Sequence, residues 1–144
     1  MKKIRFVYVS ASSMEMERAA RWMEMLGKTG IQCTSLQWVE DIKKVGVANP
    51  CGWESPEVRR GYADADEQSI RQSDLLWFLV PGPTLDNHGR GGYYEAGLAK
   101  ALGKTLVFSG DTKQSIFCAH GTEFDEDIDA FAHVCKLARE DTYP

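Results

Sequence analysis

Two carboxylates, Glu95 and Asp66, are the side chains whose positions in the sequence best suit chemistry. Glu95 follows an apolar run, 75–80, and a glycine-rich loop that begins at Pro81. The apolar run has the length of a strand buried on both faces, and the loop leads into a helix predicted over 93–102. Because the helix dipole favours an ionised carboxylate in the first turn, Glu95 is a candidate nucleophile or ligand clamp. The alternative is an ordinary first-turn glutamate that stabilises its helix.

Asp66 lies on a helix predicted over 56–73, which begins at Pro56. The residues that share its predicted apolar face are Val58, Tyr62, Ala65 and Ser69. Asp66 falls at the edge of that face, where charges are uncommon, so it either reaches solvent or points into a polar cleft. Counting back from Asp74, the rise of the helix is about 12 Å, which returns Asp66 towards the far end of the following strand. The two acids are therefore compatible with one site.

Paired carboxylates suit glycosidic chemistry, in which one attacks the anomeric carbon and the other handles the proton of the leaving group. Hydroxyl groups of Tyr8, Ser10 and Ser12, in and just after the first predicted strand, are placed to hold a sugar at the same edge. Backbone amides of the glycine-rich stretch, with Gly89 and Gly91, are candidates for holding an anion or a ribose oxygen.

Other constellations are weaker. Cys118 and His120 lack a positioned third member, as thiol hydrolysis requires. His88 with Asp86 supplies two metal ligands within one loop, which is poor support for a metal site. The stretch 89–92 matches neither common phosphate-binding motif. We expect no metal and no cofactor.

The elements that must position these residues alternate along the chain. Strands are predicted over 4–9, 31–39, 75–80, 104–109 and 116–118. Helices are predicted over 14–28, 56–73, 93–102 and 124–137. The residues 40–55 form a long predicted connection, where Trp38 and Trp53 either cover a pocket or pack locally. This alternation predicts a parallel five-stranded sheet flanked by helices.

Length and composition limit the partners. The 144 residues predict a single domain spanning 1–144, and 43% hydrophobic with 26% charged residues is typical of a soluble globular protein. The net charge of −4 gives no general attraction for nucleic acid or an anionic membrane, so small molecules or other proteins are the expected partners. Four scattered cysteines without zinc-site spacing, and no apolar run of membrane-spanning length, predict a cytoplasmic protein with reduced thiols.

Three segments resemble the nucleoside 2-deoxyribosyltransferase family, which includes the deoxynucleoside 5′-monophosphate N-hydrolases. They are VYVSA at 7–11, DEQSIRQSDLLWFLV at 66–80 and GGYYEAGLAKALGK at 91–104. The resemblance implies a three-layer α/β fold of the flavodoxin-like or Rossmann-like type. It implies that Glu95 attacks the anomeric carbon, that Asp66 assists protonation or orients the nucleophile, and that Tyr8 contacts the nucleophile or sugar. It also implies a homo-oligomer in which a neighbouring subunit completes the site.

The chain departs from the family pattern in the glycine-rich loop. Where the transferases place an acidic residue against the sugar or base, this sequence has Gly89, with Asp86 as the nearest acid. The serine that meets a 5′-phosphate in the hydrolases is also missing, and Ser10, Ser12, His88 and Arg90 are the candidates to replace it.

The first hypothesis is therefore an enzyme that cleaves or exchanges the N-glycosidic bond of a nucleoside or nucleotide, through a covalent sugar on Glu95. The second is a non-catalytic nucleotide-binding module on the same scaffold, since a fold does not fix a function. The third is hydrolysis of an NAD-like dinucleotide, which also has a ribosidic bond open to carboxylate attack.

Overall fold

The computed structural model describes residues 3–45, 55–82 and 90–140, and within them five parallel strands form one sheet in the order β2-β1-β3-β4-β5. The strands are β1 (Phe6–Ala11), β2 (Gln32–Cys33), β3 (Leu75–Val80), β4 (Thr105–Gly110) and β5 (Thr122–Phe124). This order is that of flavodoxin-like α/β folds, so the predicted fold class is confirmed.

Within these described ranges, five α-helices cover the two faces of the sheet. They are α1 (Met16–Lys28), α2 (Leu36–Val45), α3 (Pro56–Gln72), α4 (Arg90–Ala101) and α5 (Asp127–Glu140). Successive residues of the central strands point to opposite faces, so Trp77 packs towards α1 and α5 while Phe78 packs towards α3 and α4. β3 is buried along its whole length, as its unbroken apolar sequence predicts. In the described part of the chain, none of the helices has the length and apolar character that crossing a bilayer requires.

The strand predicted over 31–39 is wrong beyond its first residues. β2 pairs with β1 only at Gln32 and Cys33, and α2 begins at Leu36. Val39 and Ile42 are both buried and lie three residues apart, which is helical spacing. The alternation that suggested a strand thus ends earlier than predicted, and the start of the predicted connection is helical.

The strand predicted over 116–118 is also wrong. These residues belong to a 3₁₀ helix, Ile116–His120, whose start is capped by Ser115, since its Oγ accepts the Phe117 N–H at 3.2 Å. The short edge strand of the sheet, β5, follows this turn instead. Ile116 is 81% exposed, so a strand here would have had no apolar surface to pack against.

Candidate active site

The site lies where the chain leaves the sheet in opposite directions. β1 is followed by α1 on one face, and its neighbour β3 is followed by α4 on the other. In sheets of this order, the connections that follow the first and third strands leave towards opposite faces, and ligands bind in the crevice between them. Tyr8 and Ser10 project from β1 towards α4 at this edge, and Glu95 projects back from α4.

Glu95 is held by two hydroxyl groups. The Tyr8 hydroxyl donates to Oε2, and Ser10 Oγ donates to Oε1 at 2.7 Å. α4 begins at Arg90, so Glu95 lies in the second turn and the prediction of a first-turn position is wrong. Because the dipole effect fades after the first turn, the two hydroxyl donors replace it as the main stabilisation of the carboxylate.

A glycine brings α4 close enough for these contacts. Gly92 lies directly over Phe78 of β3, and a Cβ added to Gly92 would lie 2.3 Å from Cε1 of that ring. The buried face of α4 is formed by Gly92, Ala96 and Ala99, all small residues. Tyr94, on the opposite side of the helix, is 73% exposed. The helix approaches the sheet through its small residues, and Glu95 can reach Tyr8.

Burial and hydrogen bonding act in opposite directions on Glu95. Burial raises its pKa, while the hydroxyl donors of Tyr8 and Ser10 lower it, and the net pKa is above the ordinary value. The pKa of Tyr8 is raised well above its ordinary value, first by burial and then by the charges of Glu95 and Asp66. Tyr8 therefore remains a protonated donor at all physiological pH values.

Asp66 faces the same cleft from α3. Two residues of the predicted apolar face, Val58 and Ala65, are exposed. Tyr62 of that face lines the cleft, together with Asp66 and Ile70. Of the two orientations predicted for Asp66, the structure shows the one in which the side chain points into a polar cleft. Burial, followed by the like charges of Glu95 and Asp41, raises its pKa to about 7. Within the described residues, no hydrogen-bond donor contacts the Asp66 carboxyl.

These two acids line a cavity of about 420 Å³, a size typical of small-molecule sites. Its walls are formed by α2, α3 and α4, with the aromatic rings of Trp38, Tyr62 and Tyr94. Trp38 is anchored there because its indole N–H donates to the carbonyl oxygen of Val9 at 2.9 Å. Trp38 therefore lines the pocket, whereas Trp53 lies outside the described residues.

The remaining predicted site residues divide into three groups. Ser12 and Gly91 line the cavity, although Ser12 Oγ also accepts the Met14 N–H at 3.2 Å and so caps the turn before α1. Ser10 is fully buried behind Glu95, and its direct contact with a substrate stays a prediction. Asp86 and Gly89 lie outside the described residues.

Sequence reasoning missed the α2 wall of the cavity. α2 places Trp38, Asp41 and Ile42 at the site, although 40–55 is predicted above as a connection. The spacing of Val39 and Ile42 was the signal that would have revealed the helix. Among the residues in the described ranges, no cluster of histidine, cysteine or acidic side chains has the geometry to hold a metal ion.

Three solved structures share this fold. The solution structure of BlsM superposes with a TM-score of 0.69 at 17% identity, covering 100% of this chain and 98% of its own. A conserved protein from Enterococcus faecalis V583 gives 0.62 at 16% identity, with coverages of 92% and 98%. The Clostridium botulinum CMP N-glycosidase BcmB gives 0.52 at 16% identity, with coverages of 96% and 99%. No family model and no curated protein matches the sequence. At these identities the likeness establishes the fold.

Proposed function

We propose that this protein cleaves or exchanges the N-glycosidic bond of a nucleoside or nucleotide, with a 2-deoxy sugar as the preferred substrate and Glu95 as the nucleophile. The observation that carries the proposal is one carboxylate fixed by two hydroxyl donors, facing a second carboxyl whose pKa is near neutrality, within a single cavity. The structural neighbour BcmB is a CMP N-glycosidase, and that activity on the same fold agrees with this chemistry.

The surroundings of the two acids assign them different roles. Glu95 receives hydrogen bonds from Tyr8 and Ser10, and such donors stabilise the ionised form that attacks carbon. Asp66 has no such donors among the described residues and lies near two like charges, which favours its protonated form. A pair of acids whose surroundings differ in this way provides one nucleophile and one proton donor.

In the first step, an oxygen of Glu95 forms a bond to the anomeric carbon while the bond from that carbon to the base nitrogen breaks. The electron pair of the broken bond goes to the base, which takes a proton from Asp66. The sugar carbon carries positive charge in the transition state, and the Glu95 carboxylate stabilises it. The two hydroxyl donors keep Glu95 in one orientation, so little rotational freedom is lost at this point.

In the second step, water or another base attacks the same carbon and the bond to Glu95 breaks, returning its electron pair to the carboxylate. Asp66, now ionised, accepts the proton of the attacking group. Two displacements at one carbon give retention of configuration, and transfer to a second base follows ping-pong kinetics.

The test is base release from a panel of nucleosides and their 5′-monophosphates, measured by chromatography for the parent protein and for Glu95→Ala. We expect release by the parent and none by the variant, with both showing the same far-ultraviolet circular dichroism. Mass spectrometry after brief exposure to substrate should show a sugar adduct on the parent alone. Release by Glu95→Ala at the parent rate would reject the proposal.

The proposal includes a homo-oligomer and a cytoplasmic location. Exposed apolar side chains next to α4 support the first, since Tyr94 and Phe117 line one shallow groove beside the site. Light scattering coupled to size exclusion measures the oligomeric state directly, and a monomer at all accessible concentrations would refute it.

A further inference from the structure

The cavity carries much more negative than positive charge. Besides Glu95 and Asp66, it is lined by Asp41 of α2 and by Asp64 and Glu67 of α3. Within the described residues, no lysine, arginine or histidine lines it. In the sequence, the two internal segments outside the described ranges, 46–54 and 83–89, contain no lysine or arginine, and His88 is their one histidine.

These carboxylates differ in how far they are neutralised. Glu67 forms an ion pair with Arg71 at 3.1 Å, so its charge is largely compensated. Asp41 accepts a hydrogen bond from the Gln37 side-chain amide at 2.9 Å, and that donor is uncharged. In the described part of the chain, neither Asp41 nor Asp64 forms an ion pair. Two acids that take no part in the proposed bond cleavage thus lie at the cavity wall without a cationic partner among the described residues.

We propose that Asp41 and Asp64 make this site selective for a nucleoside without phosphate over the same nucleoside 5′-monophosphate. The inference rests on the proposed function only for the location of the site. A phosphate monoester carries nearly two negative charges at neutral pH, and carboxylates at the wall of the same cavity repel these charges. An uncharged nucleoside has no such penalty, so it is expected to bind more tightly than its monophosphate.

The charge of Asp41 reaches the interior of the cavity. It is among the causes that raise the pKa of Asp66, after burial and Glu95, so it acts on the position where the reaction is proposed to occur. The inference also separates this chain from the neighbour BcmB, whose named substrate, CMP, is a 5′-monophosphate. Arg90, at the start of α4, is the nearest cation in sequence to the lining residue Gly91.

Binding by isothermal titration tests the inference without relying on turnover. The protein is Glu95→Gln, and the probes are the four common 2-deoxynucleosides and their 5′-monophosphates at low salt. We expect at least one nucleoside to bind at least about tenfold more tightly than its monophosphate, a ratio typical of such charge repulsion. The ratio should shrink at about 0.5 M salt, where the Debye length is only a few ångströms.

A double variant, Asp41→Asn with Asp64→Asn, identifies the source of the selectivity. We expect it to reduce the nucleoside-to-monophosphate ratio several-fold. The matched control neutralises two acids far from the cavity, Glu24→Gln on α1 and Glu140→Gln on α5, and should leave the ratio unchanged.

The inference is overturned if the monophosphate binds as tightly as the nucleoside or more tightly, if the double variant leaves the ratio unchanged, or if neither ligand binds at millimolar concentration. Monophosphate binding that Arg90→Ala abolishes would place the phosphate at the start of α4 instead. The proposed function fails separately: a nucleoside that binds with the expected preference, but from which the parent protein never releases base, would leave the selectivity standing.

Discussion

Two carboxylates at the carboxyl edge of the sheet receive the same kind of hydrogen bond but have opposite surroundings. On the α4 face, Ser10 Oγ donates to Glu95 at 2.7 Å. On the α5 face, Ser109 Oγ donates to Asp127, also at 2.7 Å. Each serine is the second-last residue of a central strand, and each acid lies on a helix that covers the face to which that serine points.

The two carboxylates differ in whether a cation is among their partners. Arg18 of α1 binds both oxygens of Asp127 at 2.7 Å and also donates to the Val80 carbonyl oxygen at 2.9 Å. The Trp22 indole N–H completes this cluster at 3.1 Å from Asp127. Despite burial, these donors lower the pKa of Asp127. At the other face no cation is present among the described lining residues, and Asp66 adds a second acid whose pKa is raised to about 7.

The comparison separates structural from functional polar groups. A charge that is paired and fully hydrogen-bonded joins α1, α5 and the sheet. Two acids held close together without a cation lower the stability of the folded protein, and such arrangements are retained at functional sites. We therefore expect the Asp127 cluster to serve stability, and the proposed function gives Glu95 and Asp66 the chemistry. Four experiments can break or sharpen this division.

The largest effect is expected from Glu95→Gln. Base release should fall at least about 1000-fold, as is typical when a nucleophile is removed. The free energy of unfolding should stay the same or rise, because a buried carboxylate without a cation is replaced by a neutral amide. Urea titration followed by circular dichroism measures the second quantity. A clear loss of stability would show that Glu95 is also structural.

Arg18→Met should lower the free energy of unfolding and leave base release nearly unchanged. It leaves Asp127 partly buried without its cation, and removing one member of a pair with exposed fractions of 21% and 17% should cost about 2–3 kcal/mol of unfolding free energy. Base release by the folded fraction should change by less than about threefold, since Arg18 makes no contact with Glu95 or Asp66. A large loss of turnover at full folding would connect the two faces and contradict the division.

The dependence of stability on pH should have opposite signs at the two faces. The folded pKa of Asp66, about 7, lies above its unfolded value, so its contribution is complete below the unfolded pKa and is lost as pH rises through about 7. The lowered pKa of Asp127 gives a contribution that is present above the unfolded pKa and is lost as pH falls through the folded value.

Unfolding titrations between pH 3 and 9 for the parent, Asp66→Asn and Asp127→Asn measure these contributions. Asp66→Asn should flatten the decline of stability on the neutral side, and Asp127→Asn should flatten the decline on the acid side. Identical profiles for all three proteins would rule out the assigned protonation states.

The smallest effects come from the matched serines. Ser10→Ala should lower the rate of base release about tenfold through loss of one donor to the nucleophile. Ser109→Ala should leave that rate unchanged and lower the free energy of unfolding by about 1 kcal/mol. If both variants affected rate and stability equally, the two hydrogen bonds would have the same role.

The fold was largely predictable because its strongest signals are local. The unbroken apolar run of β3 and the capped, proline-started α3 have the periodicity and end residues that identify elements in a sequence. α2 was missed because alternation through Ile31 and Cys33 continues by chance into the helix, and only Val39 and Ile42 mark the change of period.

The sequence predicted that the two acids could share one site, but it did not predict the α2 wall of the cavity. Glu95 and Asp66 stand out because each is a charge beside an apolar pattern. Asp41 gives no such signal, since an acid on an unrecognised helix looks like any solvated residue. The pairing of Arg18 with Asp127 was equally hidden, because residues far apart in the chain meet only after the sheet forms.

Gly92 has a consequence for altering this scaffold. The backbone of Gly92 lies against the Phe78 ring, so the distance between α4 and the sheet depends on the absence of a side chain at this position. Any larger residue there would push α4 away from the Phe78 ring and move the Glu95 carboxylate away from the Tyr8 hydroxyl, although both side chains would still be present. Building the same site into another protein of this architecture therefore requires a glycine at this position as well as the two acids.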